Sequence, residues 1–264
     1  MYAFEYVRPA TVAEAVQALK ADDEAKLLAG GQTYLPTLKQ RLARPTTLID
    51  LGRIAELEGI KEEGGGLRIG AMTTHGEVAH SDLVKRVIPA LAELAEWIGD
   101  PQVRHLGTLG GSVANNDPTA DYPAAVVGLN ATVITDRREI AGGDFFTGMF
   151  ETALAPDEIV TAVRFPKPEK AKYEKFRNPA SRYAIVGVMV ARTGDGVRVA
   201  VTGAAPSVFR AKALEDALSS SFSPSALDGV TIDSSGFNND LHATAAYRGN
   251  LVKVMAKRAV AALA

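Results

Sequence analysis

The chain has 264 residues, 47% hydrophobic and 23% charged, an ordinary globular composition with room for one large domain or roughly two to three small ones. Formal net charge is -2, so no basic excess points to a nucleic-acid partner. There is no cysteine, which excludes disulfides and thiolate-held zinc or iron–sulfur centres in this sequence. His75, His80, His105 and His242 show no metal-ligand spacing, and no metal is expected. The first residues lack the charged and apolar regions of a signal peptide, and no apolar run reaches the ~18 residues of a membrane span. A cytoplasmic protein without a membrane span is the expectation.

Thr11 and Glu14 have capping-box spacing, and Val12, Ala15, Val16 and Leu19 follow helical spacing, so a first helix is expected to about Ala21. Lys26 to Ala29 reads as a short buried strand, Tyr34 to Leu42 as a helix with Pro36 in its first turn, and Thr46 to Leu51 as a second strand. This opening resembles a small β-α-β unit. Gly64, Gly65 and Gly66 form a loop before a strand over Leu67–Ala71. Thr74 and Glu77 repeat the capping-box pattern, and Leu83 to Trp97 reads as one helix with Val87, Leu91, Leu94 and Ala95 on its apolar stripe. Gly99 to Asn116 reads as loop, and Asp117-Pro118 as the N-cap and first residue of a helix through Val127. Strands are expected over Ala131–Thr135 and Ile159–Phe165. Pro166-Lys167-Pro168-Glu169-Lys170 reads as a linker, and a domain boundary is expected near 167. Beyond it, Ala184–Arg192 and Val197–Thr202 alternate around Gly194-Asp195-Gly196, a hairpin signal. Phe209–Leu218 and His242–Leu263 read as helices.

Two glycine pairs stand about eighty residues apart. The first lies in Ala29-Gly30-Gly31-Gln32-Thr33-Tyr34-Leu35, the second in Gly107-Thr108-Leu109-Gly110-Gly111-Ser112. Adjacent glycines let main-chain N–H groups approach an anion with no Cβ in the way. Two such loops brought together would hold a pyrophosphate from both sides, which points to a dinucleotide. The loop lacks the third glycine of a Rossmann fingerprint, although Asp50 falls near the acidic position, and no Gly-Lys-Ser/Thr follows to make a Walker loop. Each pair alone also reads as a tight turn.

The stretch from Asp100 to Ala125 carries Gln102-Val103-Arg104-His105, Gly107-Thr108-Leu109-Gly110-Gly111-Ser112 and Asn115-Asn116-Asp117-Pro118-Thr119-Ala120-Asp121-Tyr122-Pro123. It closely resembles the signature of the FAD-binding medium subunits of molybdenum hydroxylases, among them those of carbon monoxide dehydrogenases and the flavin portion of xanthine dehydrogenases. Ala29-Gly30-Gly31-Gln32-Thr33 matches the first loop of that family, and the resemblance covers nearly the whole chain in the same order. It implies an α+β fold like that of vanillyl-alcohol oxidase: two α+β subdomains, 1–57 and 58–167, gripping FAD, then a C-terminal α+β domain, 168–264, with a small antiparallel sheet and helices. It also implies that Ala29, Gly30, Gly31, Gln32, Thr33, Tyr34 and Leu35, with Thr108, Gly110, Gly111 and Ser112, line the pyrophosphate and ribityl chain.

The resemblance further implies that Asp121 hydrogen-bonds the flavin, that Val160 makes an apolar contact to it, and that Lys175 stabilises negative charge on the reduced ring. As residues alone, Asp121 is equally a first-turn helix carboxylate, Val160 strand core, and Lys175 a solvated strand lysine. Arg182-Tyr183-Ala184 departs from the acidic–aromatic–alanine run common in the family, and His105 stands where many relatives carry asparagine.

By the same resemblance the chain is an oxidoreductase subunit with its substrate site on another chain. FAD takes electrons from 2Fe–2S clusters on an iron–sulfur small subunit, downstream of a molybdopterin large subunit, and passes them to an external acceptor. The assembly implied is a dimer of heterotrimers. Two alternatives stay open: a self-contained flavin reductase of the same fold, and a flavin-free assembly subunit.

Overall fold

The structure, a computed structural model, describes residues 1–263. Thr11 starts α1 (Val12–Ala21) by accepting the Glu14 N–H on its hydroxyl, and α1 buries Ala15 and Leu19 with Ile49 and Leu51. Three short strands, β1 (Glu5–Val7), β2 (Lys26–Leu28) and β3 (Thr47–Asp50), pair in parallel in the order β1-β3-β2. Between β2 and β3, α2 (Tyr34–Lys39) stops earlier than the sequence pattern suggests, because Arg41 turns into the left-handed region at φ 60°.

β4 (Ile60–Glu63) and β5 (Gly66–Gly70) form a hairpin, and Thr74 then makes the full capping box with Glu77 at the start of α3 (His75–His80). The helix expected over 83–97 is two, α4 (Asp82–Val87) and α5 (Pro89–Glu96). Pro89 is the cause: a residue before proline is pushed out of the helical region, and Ile88 sits at φ -139°, ψ 74°. The stretch read as loop holds two further short helices, α6 (Pro101–Leu106) and α7 (Leu109–Asn115), capped by the side chains of Asp100 and Thr108. Asp117 and Pro118 form a turn rather than a helix start, and α8 (Tyr122–Gly128) begins four residues beyond Pro118.

β6 (Thr132–Thr135), β7 (Glu139–Ala141), α9 (Gly142–Phe145), the hairpin β8 (Phe146–Gly148) and β9 (Glu151–Thr152), and β10 (Val160–Pro166) follow. β10 lies at the centre of a five-stranded sheet, order β4-β5-β10-β6-β7, antiparallel to both of its neighbours. After only three residues β11 (Lys170–Arg177) opens a second antiparallel sheet with β12 (Ala184–Thr193), β13 (Gly196–Thr202) and β14 (Phe209–Arg210), in chain order. The β12–β13 hairpin turns at Gly194-Asp195, with Gly196 at φ 107°, as the glycine pattern predicts. α10 (Lys212–Ser220) follows β14, and α11 (Ala245–Ala261) packs Leu251, Val252 and Met255 into a core with Val188 and Val201 of the sheet. One further core joins the two antiparallel sheets, combining Leu67, Val126 and Val163 with Met189 and Ala200. α8 is the element between them: a Cβ on Gly128 would stand 2.7 Å from Met189 Cγ.

Candidate functional site

The two glycine pairs are brought into contact. Gly30 and Gly31 lie in the turn from β2 to α2, and Gly110 and Gly111 in the first turn of α7. A Cβ on Gly30 would stand 1.9 Å from the Leu106 carbonyl oxygen, closer than any side chain tolerates, and one on Gly111 would stand 3.2 Å from Ala29 Cβ. Glycine is required here so that the two turns can touch.

A cavity of about 480 Å³ opens beside this contact, within the ~300–1,000 Å³ of small-molecule sites. Ala29, Gly30, Gly31, Gln32, Thr33, Tyr34, Thr108, Gly110, Gly111, Ser112, Asp121, Val160 and Lys175 all line it. Leu35 does not; its side chain packs with Leu28, Leu38 and Leu48. Apolar walls come from Leu27, Leu51, Met72, Ile98, Val103 and Ile159, none of which the sequence singles out. Val160 is both: 6% exposed, a member of the core and part of the wall.

The turns differ in what they offer an anion. Among the described residues, the N–H groups of Gly30, Gly31, Gln32 and Thr33 have no partner. In the second turn the Thr108 N–H is likewise without a partner, but the next three are used: Leu109 N–H donates to Thr73 O at 3.0 Å, Gly110 N–H to Ala71 O at 2.8 Å, and Gly111 N–H to Thr108 Oγ1 at 3.1 Å. The expectation that both pairs present free main-chain donors therefore holds for the first only. Gly110 is needed for close packing, since its Cβ would meet Ala71 Cβ at 2.4 Å. The second turn is left with the Thr108 amide and with side-chain donors, the hydroxyls of Thr108 and Ser112, both residues on the cavity wall.

Asp121 holds the far end of the wall. It occupies the N-cap position of α8 without capping it. Lys175 Nζ donates to its Oδ2 at 2.8 Å, and the Tyr173 hydroxyl donates to Oδ1 at 2.5 Å. Lys175 also donates to the Trp97 carbonyl at 3.1 Å, and its side chain is 0% exposed, which overturns the solvated reading. Tyr173 and Lys175 reach one carboxylate because residues two apart on a strand share a face. Burial holds the Asp121 carboxyl above its ordinary pKa, against the opposing pull of the Lys175 charge and of hydrogen bonds from Lys175 and Tyr173. Burial, then the Asp121 charge, pushes the Tyr173 hydroxyl well above its ordinary value.

Of the two departures from the family pattern, Arg182 bears on the Gly99 carbonyl and His105 does not. Arg104 is buried and donates to Ile98 O at 3.1 Å and Gly99 O at 3.3 Å, while His105 beside it is exposed and off the cavity. Arg182, at φ 63°, donates to the same Gly99 O at 3.3 Å from the β11–β12 turn, and Tyr183 stands half-exposed at the cavity wall. His75 is a lining residue without a sequence signal. It is 5% exposed, and burial, with the charge of Arg104, lowers its pKa to about 4. Among the described residues no group of three or more His, Cys, Asp or Glu is placed to hold a metal.

A cavity with free amides and hydroxyls where two glycine turns meet, and with apolar walls, fits a molecule with an anionic middle and flat aromatic ends. FAD meets that description. Residues 2–168 match the family described as the FAD binding domain in molybdopterin dehydrogenase. The chain is 35% identical to the nicotine 6-hydroxylase medium subunit of Paenarthrobacter nicotinovorans, over 98% of this chain and 96% of that one. It is 39% identical to the carbon monoxide dehydrogenase medium chain of Hydrogenophaga pseudoflava, over 78% and 77%. A solved carbon monoxide dehydrogenase from Hydrogenophaga pseudoflava, lacking the Mo-pyranopterin moiety of its molybdenum cofactor, matches with a TM-score of 0.91 at 37% identity, over 99% of this chain and 97% of that one. The α+β fold implied by the sequence resemblance is thus the one observed. The chain belongs to the FAD-binding family of the molybdopterin dehydrogenases, as a flavoprotein of the medium-subunit type in an oxidoreductase.

Proposed function

We propose that this chain holds FAD across the contact of its two glycine turns and relays electrons from 2Fe–2S clusters on a small partner subunit to an external acceptor. A molybdopterin-bearing large subunit would carry the substrate site, in a dimer of heterotrimers in the cytoplasm. Segments 1–57 and 58–167 would grip the cofactor, and 168–264 would close the site with Lys175. The carrying observation is the pairing of four unpartnered amides, Gly30 to Thr33, with a second turn only a glycine side chain's breadth away. Two facts support the division of labour: the relatives are medium subunits of a hydroxylase and of a dehydrogenase, and this sequence has no cysteine to ligate a cluster.

FAD, when bound, supplies one- and two-electron redox chemistry. The chain's own residues do the rest. The Gly30–Thr33 amides and the hydroxyls of Thr108 and Ser112 would donate to the diphosphate. Ile98, Ile159 and Val160 would exclude water from a ring plane. Lys175 would hold a fixed positive charge beside the site, anchored by Asp121 and Trp97 O. Co-expression with iron–sulfur and molybdopterin subunits, followed by capture through a tag on this chain, tests the assembly. Recovery of a three-subunit complex whose flavin is bleached by the substrate of the large subunit is expected. A flavin-loaded chain that always runs alone and oxidises a reduced nicotinamide by itself would instead favour the self-contained reductase.

A further inference from the structure

His75 opens α3, and its main-chain N–H donates to Gly107 O at 2.8 Å, which sets the ring beneath the second glycine turn. Its Nδ1 is sealed from solvent and has no partner. The hydroxyl of Tyr122 is sealed and unpartnered as well, and the two rings lie 5.4 Å apart at 45°. Orphaned buried polar atoms are rare, and two from neighbouring rings call for a common cause. A phenol donates and a neutral imidazole nitrogen accepts, so a single buried water bridging the two would satisfy both.

The opposite edge of the imidazole faces the turn: a Cβ built on Gly107 would stand 2.7 Å from Nε2 and 2.8 Å from Cδ2. If Nδ1 accepts from Tyr122, the neutral ring must carry its proton on Nε2. His75 lines a cavity whose second turn has already used the amides of both its glycines, Gly110 and Gly111. We propose that His75, set in its Nε2–H tautomer by Tyr122, is a further positioning residue that donates a hydrogen bond to the diphosphate of FAD from beneath the second glycine turn. The assignment rests on the FAD reading of the cavity. It adds a donor on the side of the second turn, where the Gly110 and Gly111 amides are used.

The test uses the full chain as wild type, His75→Phe, His75→Gln and Tyr122→Phe. FAD affinity is read by flavin fluorescence, folding by thermal unfolding without FAD, and the His75 ring by nitrogen-15 NMR. Loss of one hydrogen bond to a charged group predicts FAD binding weaker by about ten- to a hundredfold in His75→Phe. His75→Gln, which restores a donor, is expected to stay within about threefold of wild type. The wild-type spectrum is expected to show Nε2 protonated, with a resonance that moves on adding FAD or ADP but not riboflavin. Tyr122→Phe is expected to mix the tautomers. Wild-type FAD affinity in His75→Phe, or an unprotonated Nε2 in the wild type, would overturn the proposal. Should His75→Phe fail to fold, the wild-type spectrum still decides. A wild type that binds no FAD at all refutes the underlying cofactor reading instead, so the two failures are distinguishable.

Discussion

Lys175 and Asp121 lie 2.8 Å apart with both side chains sealed from solvent, although 54 residues separate them in sequence. The pair ties the edge strand of the C-terminal sheet to the start of α8, on the wall of the cavity that the two glycine turns line. Removing one partner of such a pair strands the other charge in a low dielectric, a cost of about 3–5 kcal/mol. Lys175→Met should therefore lower the midpoint of thermal unfolding by about 6–20 °C. Lys175→Met combined with Asp121→Leu should recover part of that loss, because no buried charge is left alone. A single variant as stable as wild type would show that the pair is not buried as described.

Gly30 and Gly143 make a matched test of the cavity waist. A Cβ on Gly30 meets backbone at 1.9 Å, whereas one on Gly143 meets nothing within 4 Å. Gly30→Ala should force the two turns apart and weaken FAD binding by about a hundredfold or more, while Gly143→Ala leaves it unchanged. Gly111→Ala should be milder than Gly111→Val, since its nearest obstacle is the Thr108 hydroxyl, at 2.8 Å on a side chain that can rotate. Titration of each variant with FAD, followed by flavin fluorescence, checks the order.

The imidazole of His75 gives stability a defined pH dependence. Its folded-state pKa is lowered from 6.5 to about 4 by burial, so between those values the unfolded chain binds the extra proton. Stability should be complete above about pH 6.5 and fall as pH drops toward 4, by about 3 kcal/mol in all. His75→Phe should flatten that part of the profile. Urea unfolding of wild type and variant across this range measures the difference, and equal slopes would contradict it.

Asn116 carries the β8–β9 hairpin. It sits at φ 42°, and its Nδ2 donates to Gly148 O at 2.8 Å and Glu151 O at 2.7 Å. Asn116→Ala removes both bonds and leaves a left-handed residue without the side chain that favours it. A loss of about 2–4 kcal/mol is expected, with faster amide exchange confined to residues near 148–152. Exchange raised throughout the chain instead would mean that the hairpin is not a separate unit.

Features written in short-range pattern were legible in the sequence. The Thr74–Glu77 box, the Gly194-Asp195 turn and both glycine pairs depend on neighbours a few positions apart. Features that depend on tertiary register were not. Tyr173 announces nothing until β11 brings it, with Lys175, to Asp121, and the apolar walls at Met72 and Ile98 look like any core residue. α6 and α7, at six and seven residues, are too short for helical periodicity to emerge, so only their caps at Asp100 and Thr108 betray them. The glycine pairs look alike as sequence, yet one leaves its amides free and the other uses them. That difference arises because Thr73 and Ala71, distant in the chain, supply the acceptors.

FAD in the cavity at the contact of the two glycine turns is what every other proposal here depends on. The most direct measurement is the visible absorption spectrum of the purified chain, alone and co-expressed with its partner subunits, after incubation with FAD and removal of free cofactor. Flavin bands at close to one FAD per chain are expected in at least the assembled form. A folded chain that remains colourless in both preparations would contradict it.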